Sequence, residues 1–91
     1  MSPAAARALA QIMAYAVEEG WASAGRVQGV RVAGKTGTAE IGEGRQPHAV
    51  FIAFAPVEAP RVAVAVLKEG AGAGSTAAAP VARAVLEAAL R

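Results

Sequence analysis

The residue types best suited to chemistry lie together at residues 34–40, Gly-Lys-Thr-Gly-Thr-Ala-Glu. Residues 29–36 match the phosphate-loop pattern, which is a glycine, any four residues and then Gly-Lys-Thr. Such a loop needs a strand before its first glycine and a helix that opens at the Lys-Thr pair. Here Val30 and Val32 indicate extended backbone inside the supposed loop, and Gly37 lies where the helix would begin. The nucleotide-binding interpretation is therefore disfavoured, and Val30–Glu40 is predicted to be a strand.

The rest of the sequence predicts the elements that must position this strand. Ser2 and Pro3 are typical of a helix start, and Gly20 is predicted to end that helix in a left-handed conformation. Two further apolar runs predict strands, and a final segment with helical periodicity predicts a closing helix. Short connections exclude parallel crossovers, so the strands are predicted to form an antiparallel meander in an α+β fold of order α-β-β-β-α. The later elements are Ala49–Ala55, Arg61–Lys68 and Thr76–Leu90.

Apolar periodicity also predicts which side of each element faces the core. The first helix repeats apolar residues at Leu9, Ile12, Met13, Ala16 and Val17, and the closing helix does so at Val81, Val85, Leu86, Ala89 and Leu90. Two of the strands are apolar on both faces, which is typical of a sheet covered on both sides. Two helices cover only one face, so strand residues such as Val50, Ile52 and Phe54 are expected to lack cover. Self-association is therefore expected, through sheet faces or edges, or by exchange of a helix across a flexible 70–74 link.

Composition excludes several classes of function. The 91 residues suit one small domain or part of a larger one, and a net charge of +2 without a basic run gives no reason to expect nucleic acid binding. One histidine and no cysteine are too few for a metal site, and no cofactor is expected. His48 is interpreted as a strand-edge histidine without a catalytic partner. Glu40 and Glu43 are interpreted as solvated carboxylates, because they lack the setting of an acid–base pair.

A family resemblance emerges once the motif is read with its surroundings. Lys35-Thr36-Gly37 is the Lys-Thr-Gly element of penicillin-interacting serine enzymes. Four blocks occur in the order found at the carboxy-terminal end of penicillin-binding protein transpeptidase domains, and they cover residues 32–40, 47–56, 60–66 and 78–86. The chain resembles those domains over essentially its whole length. It is most similar to the monofunctional, class B-like enzymes that crosslink peptidoglycan.

This resemblance implies a fold, a set of partners and a role for each motif residue. The chain would be the C-terminal part of a β-lactamase/transpeptidase-like fold, with the Lys-Thr-Gly strand beside the active-site cleft. Lys35 would act electrostatically; Thr36, Gly37 and Thr38 would bind substrate; and the backbone N–H of Thr38 would belong to the oxyanion hole. The implied ligands are β-lactams and a peptidoglycan stem peptide ending in D-Ala-D-Ala. The implied location is the outer (periplasmic or extracellular) face of the cytoplasmic membrane, with an anchor outside this chain.

The sequence departs from the family pattern in lacking the nucleophile. The family's serine belongs to Ser-x-x-Lys, whereas Ser2, Ser23 and Ser75 are followed three positions later by Ala5, Arg26 and Ala78. No Ser-x-Asn is present either. Without an activated serine, covalent acylation by the chain alone is not expected. Residues 1–91 are therefore interpreted as a single fragment of a transpeptidase domain, whose missing N-terminal part is its first partner. The alternative is a non-catalytic α+β interaction module derived from the same scaffold.

Overall fold

The computed structural model describes all 91 residues and confirms the predicted order of helix, three strands and helix. Helix α1 is Pro3–Glu19, strands β1, β2 and β3 are Ala33–Ala39, His48–Ala55 and Val62–Lys68, and helix α2 is Ala79–Ala89. The strands form one antiparallel sheet in the order β1-β2-β3. None of the helices combines the length and the apolar character that crossing a membrane requires.

Two predicted element starts differ from the structure by more than one residue. Strand β1 begins at Ala33 instead of Val30, because Val30 pairs back with Val27 around a turn in which Gly29 has a φ of 79°. The closing segment does not start as an α-helix at Thr76. It begins with a π-helical turn at Gly74–Ala78, which leads directly into α2.

One face of the sheet carries the hydrophobic core. Antiparallel register places Phe51 opposite Val66, and the alternate residues of β2 are buried on the same side. Helix α2 and the preceding π turn cover this face with small side chains and one leucine, namely Ala78, Ala79, Ala82 and Leu86. The Phe51 ring is fully buried at the centre. Its Cζ atom lies 2.7 Å from where a Cβ on Gly25 would be and 2.8 Å from where one on Gly34 would be, so both glycines make room for the ring.

The opposite face of the sheet is open. Ile52 and Leu67, on neighbouring strands, are 44% and 58% exposed. Val50 and Phe54 share this side of β2 and are half-buried. We call the surface of these four residues the open sheet face. Its apolar character explains why β2 reads as apolar at nearly every position, although the chain covers this side of the strand only near Phe54, which packs with Ala14, Ala33 and Val57.

The predicted helix faces are wrong in part. In α1 the fully buried residues are Ala14 and Val17, whereas Ile12 is 67% exposed and Leu9 is 42% exposed. In α2 the buried positions are Ala79, Ala82 and Leu86, whereas Val81 and Val85 are 38% and 43% exposed. Alanines allow the closest approach to the sheet, so the packed stripe is centred on the small residues, and the larger ones lie beside it.

Side chains complete both ends of α1. The Ser2 Oγ accepts a hydrogen bond from the Ala5 N–H at 3.1 Å, as expected for an N-cap. Gly20 ends the helix with φ −121° and ψ −156°, so the predicted left-handed conformation is wrong. Instead Arg26 donates from Nε to the Val17 carbonyl and from Nη2 to the Glu18 carbonyl, at 3.3 and 2.9 Å. These bonds satisfy carbonyls that a helix end leaves free.

Removing the Phe51 ring is expected to test the core directly. Phe51→Ala should lower the free energy of unfolding by about 3–5 kcal/mol, because it deletes the ring that fills the space beside two glycines. The matched control is Ile52→Ala on the same strand, which should cost less than about 1 kcal/mol because that side chain lies on the open sheet face. Urea denaturation measures both. Equal losses for the two variants would contradict the assignment of the core to one face.

Candidate active site

The Lys-Thr-Gly motif lies in the middle of β1, at one edge of the sheet. Lys35 and Thr38 are exposed, and Thr36 and Gly37 are half-buried. In the register with β2, Thr36 lies opposite Phe51, Thr38 opposite Ala49 and Lys35 opposite Ile52. Because directly opposed residues project to the same side, both threonine side chains leave the strand on the core face and Lys35 leaves it on the other.

The outer edge of β1 is unpaired at the motif. The Lys35 Nζ donates a hydrogen bond to the Thr36 carbonyl, so this carbonyl points away from β2. Orientation repeats every second residue in an antiparallel strand, so the N–H and carbonyl of Thr38 point outward as well. No backbone hydrogen bond outside the regular helices and strands involves residues 34–39. We call the outward backbone of Thr36 and Thr38, with the Lys35 ammonium beside it, the open edge.

This open edge has the chemistry of an anion-binding site. It combines the positive charge of Lys35 with outward backbone N–H donors, and the two threonine hydroxyl groups beside it donate or accept. The lysine reaches the edge from one side of the strand, and the threonines leave from the other. A polar or anionic group beside the edge would therefore meet donors of three kinds. The same backbone groups also accept an extended peptide as an additional strand.

Helix α1 fixes the beginning of β1 from both sides. A Cβ on Gly34 would lie 3.2 Å from the Val17 Cγ2 atom on the core face. The neighbouring Ala33, which points the other way, is fully buried in a cluster with Ala14 and Val57. The helix therefore closes the first half of the strand edge and leaves the second half open. A hollow of about 350 Å³ separates the end of α1 from Lys35 and Thr36, and the exposed Trp21 lines it.

Arg31 connects three parts of the chain just before β1. Its Nε and Nη1 atoms donate to the carboxylates of Glu18 in α1 and Glu58 in the β2–β3 connection, at 2.9 and 3.0 Å. Its Nη2 donates to the Gln11 side-chain oxygen at 3.4 Å. Hydrogen bonds to Glu18 and Glu58 raise the pKa of Arg31. Hydrogen bonding by its own backbone and by Arg31 lowers the pKa of Glu58.

The 70–74 segment, predicted to be a flexible link, is hydrogen-bonded to the beginning of β2. The Gly70 N–H donates to the His48 Nδ1 at 3.0 Å, and the Gly72 N–H donates to the Pro47 carbonyl at 3.1 Å. Gly74 is buried. His48 is the first residue of β2, and its contact with Gly70 is structural. No group of three or more potential metal-ligating side chains comes together anywhere in the chain.

Sequence reasoning did not single out Arg31 or Gly74. Arg31 is one of seven arginines, and nothing local indicates that two carboxylates from distant segments meet it. Gly74 is the last glycine of a Gly-Ala repeat that is typical of a linker. The one available signal was the absence of any larger side chain between residues 70 and 74, which also suits close packing.

The sequence model of the penicillin binding protein transpeptidase domain matches residues 1–87. The chain belongs to this family, as its resemblance to these domains indicated.

Individual relatives agree with this assignment. The peptidoglycan D,D-transpeptidase PbpA of Mycobacterium tuberculosis is 46% identical over 99 aligned positions, which cover 100% of this chain and 20% of that protein. The MrdA transpeptidase of Haemophilus influenzae is 39% identical over 63% of this chain and 11% of its own length. The chain thus spans about one fifth of the PbpA relative.

Solved structures show the same fold. A ceftriaxone acyl-enzyme complex of penicillin-binding protein A from M. tuberculosis superposes with a TM-score of 0.90 at 44% identity, over 100% of this chain and 22% of that one. The transpeptidase domain of penicillin-binding protein 3 from Burkholderia pseudomallei gives 0.88 at 33% identity, over 100% and 30%. Relatives of this chain are therefore D,D-transpeptidases, and structures of one of them hold β-lactam acyl groups.

The Arg31 network predicts a pH dependence of stability. The pKa of Glu58 lies below its usual value of 4.5 in the folded protein, so its carboxylate stabilises the fold above that pH. The contribution is lost as the pH falls through the lowered pKa. Glu58→Gln should therefore lower the melting temperature at neutral pH, and the difference from the unsubstituted protein should shrink below about pH 4.

The matched control is Glu43→Gln, because Glu43 is exposed and forms no ion pair. It should leave the melting temperature unchanged across the same pH range. A Glu58→Gln difference that persists undiminished at pH 3 would show that the carboxylate's charge is not what stabilises the network.

Proposed function

We propose that this chain is the C-terminal part of a serine-type D-alanyl-D-alanine transpeptidase that crosslinks peptidoglycan and is acylated by β-lactams. The observation that carries the proposal is the open edge at Lys35–Thr38, held at the side of the sheet in a chain that matches the family over residues 1–87. Its ligands would be a stem peptide ending in D-Ala-D-Ala and β-lactams. The whole enzyme would act on the outer face of the cytoplasmic membrane, anchored by a segment outside these residues.

In this proposal each motif group acts on a different part of the substrate. A serine from the rest of the domain attacks the peptide or lactam carbonyl carbon, and the carbonyl oxygen becomes negatively charged in the tetrahedral intermediate. When the intermediate collapses, the carbonyl re-forms, the C–N bond breaks, and the departing nitrogen takes the proton that the serine gave up to a base in the same part of the domain. The outward Thr38 N–H donates to that oxygen; losing such a donor typically costs about 3 kcal/mol of transition-state stabilisation. The hydroxyls of Thr36 and Thr38 hold the terminal carboxylate. Lys35 adds positive charge at the same edge. Gly37, between Thr36 and Thr38, places no side chain near the ligand.

The remainder of the domain would supply both the nucleophile and the missing cover. The chain contains no Ser-x-x-Lys and no Ser-x-Asn. The open sheet face and the exposed Ile12, Tyr15 and Trp21 beside the open edge are apolar surfaces that a soluble monomer seldom leaves uncovered. Strand β3 also has an unpaired outer edge. In this proposal the N-terminal part of the domain packs on these surfaces and places its serine next to β1.

A chimera tests the proposal. The matching segment of M. tuberculosis PbpA is replaced by this chain, and a labelled penicillin is added. We expect a one-to-one covalent adduct on the chimera by mass spectrometry, and no adduct on the isolated 91 residues, which have no activated serine. Lys35→Ala in the chimera should slow acylation by about 100-fold, because it removes charge at the open edge.

Lys68 provides the matched control, because it is the other lysine and is exposed at the end of β3. Lys68→Ala should leave the acylation rate unchanged. A folded chimera that is never acylated would favour the non-catalytic module. A stoichiometric adduct on the isolated chain would contradict the assignment of the nucleophile to another segment.

The isolated chain should self-associate through its uncovered apolar surface. At micromolar concentration we expect sedimentation equilibrium to show dimers or larger species, because Ile52 and Leu67 are exposed on adjacent strands. The double variant Ile52→Lys/Leu67→Lys should shift the population toward monomer, since burying two charges at an interface is costly. Val85→Lys, at an exposed position on α2, is the control. If the unsubstituted chain sediments as a single species of 9.1 kDa, the chain is a monomer and does not need a second copy to cover its apolar surface.

A further inference from the structure

The π-helical turn that precedes α2 presses a glycine against the backbone of β1. A Cβ atom on Gly74 would lie 2.6 Å from the Gly37 carbonyl oxygen and 3.0 Å from the Gly37 nitrogen, and closer still to the Val50 carbonyl oxygen. Cβ atoms in proteins essentially never come within 3.0 Å of another residue's heavy atoms. Gly74 is not among the glycines with positive φ. Space, and not backbone conformation, therefore requires glycine here.

The contact lies behind the open edge. Gly37 and Val50 face each other across β1 and β2, and Gly37 separates Thr36 from Thr38. The threonines project on the core face, where Ala78 and Ala79 pack with the residues paired to them. The turn that begins at Gly74 therefore meets the strand on the side from which the two threonines leave.

The other close glycines differ in what they meet. Gly25 and Gly34 face the Phe51 ring, which is a side chain and not strand backbone, and Gly20 faces the backbone of its own helix at Ala16. Gly37 itself would bring a Cβ only to an ordinary 3.5 Å from the Val50 Cβ. Of the two glycines that meet behind the open edge, Gly74 is thus the one that the packing requires. Its neighbours are backbone atoms of two paired strands, which move only if the strands move.

We propose that Gly74 is a positioning residue for the open edge: its bare Cα sets how closely β1 lies to the π turn, and so where the Thr38 N–H stands. The inference rests on the function proposed above. A methyl group at position 74 would push β1 and β2 away from the turn. Donors to an oxyanion act within about 2.7–3.1 Å. A displacement of a few tenths of an ångström therefore reduces the stabilisation of the transition state more than it reduces the affinity of the first, non-covalent complex.

The test uses the PbpA chimera and separates binding from chemistry. The time course of penicillin acylation at several concentrations gives a dissociation constant for the first complex and a rate constant for acylation. Gly74→Ala should lower the acylation rate constant by about 10- to 100-fold, the effect expected of a misplaced catalytic group, and change the dissociation constant less than about threefold. The melting temperature should also fall.

Leu86→Ala is the matched control for lost stability. Leu86 is fully buried on α2, which packs on β2 and β3. Its truncation should lower the melting temperature at least as far as Gly74→Ala, with an unchanged acylation rate constant for the folded fraction. The inference would be overturned if Gly74→Ala and the unsubstituted chimera had equal acylation rate constants. It would also be overturned if Gly74→Ala and Leu86→Ala lowered the acylation rate constant equally.

A second variant covers the case in which Gly74→Ala does not fold. Ala78→Gly cannot clash, and it removes a fully buried methyl that holds the same turn on the sheet. Because Gly74 then loses its fixed position, the acylation rate constant should fall by at least about threefold, with the dissociation constant unchanged. An unchanged rate constant would overturn the inference. Acylation of the unsubstituted chimera is the separate measure of the proposed function, so the two failures are distinguishable.

Discussion

The packing of the Phe51 ring against two glycines is the contact on which the rest of the structure depends. The ring occupies the space that side chains on Gly25 and Gly34 would fill, so it ties the segment after α1 and the start of β1 to the central strand. Most of the remaining core is alanine and valine, whose small side chains bury little area each. The Phe51 ring is therefore the main large side chain in the core between the sheet and α2, and α2 packs closely on the sheet through its alanines.

A strand edge that is left without a pairing partner has to be held by other contacts. Strand β1 is paired on one side only, and its first half is closed by α1, while Arg31 attaches the preceding residues to two carboxylates. Behind the motif, Gly74 lies against the backbone. The strand is thus held by β2, by α1 and by the turn at Gly74, while its outer edge at the motif stays unpaired. An unpaired edge normally invites aggregation, which makes an open edge at this motif costly unless another surface or a substrate occupies it.

The lack of a complete second covering layer explains the exposed apolar residues. A sheet with apolar residues on both sides of β2 needs two covering layers, and the 91 residues supply one of them and only the part of the other near Phe54. The uncovered surfaces lie on the open sheet face and on the outer side of α1, next to the open edge. This chain spans 20% of the length of its PbpA relative, so that relative contains further residues beyond the part that matches.

The sequence by itself determined the element order, the antiparallel meander and the family, because strand alternation, short turns and the motif blocks are local patterns. It also placed Lys35, Thr36 and Thr38 on one strand, since spacing along a strand is independent of the fold. Only the tertiary structure decided which helix faces are buried: alanines at positions 14 and 82 pack more closely than the larger Ile12 and Val85. It alone brought Arg31 to Glu58, 27 residues away, and Gly74 to Gly37. Such contacts depend on how distant segments meet, and no local pattern records that.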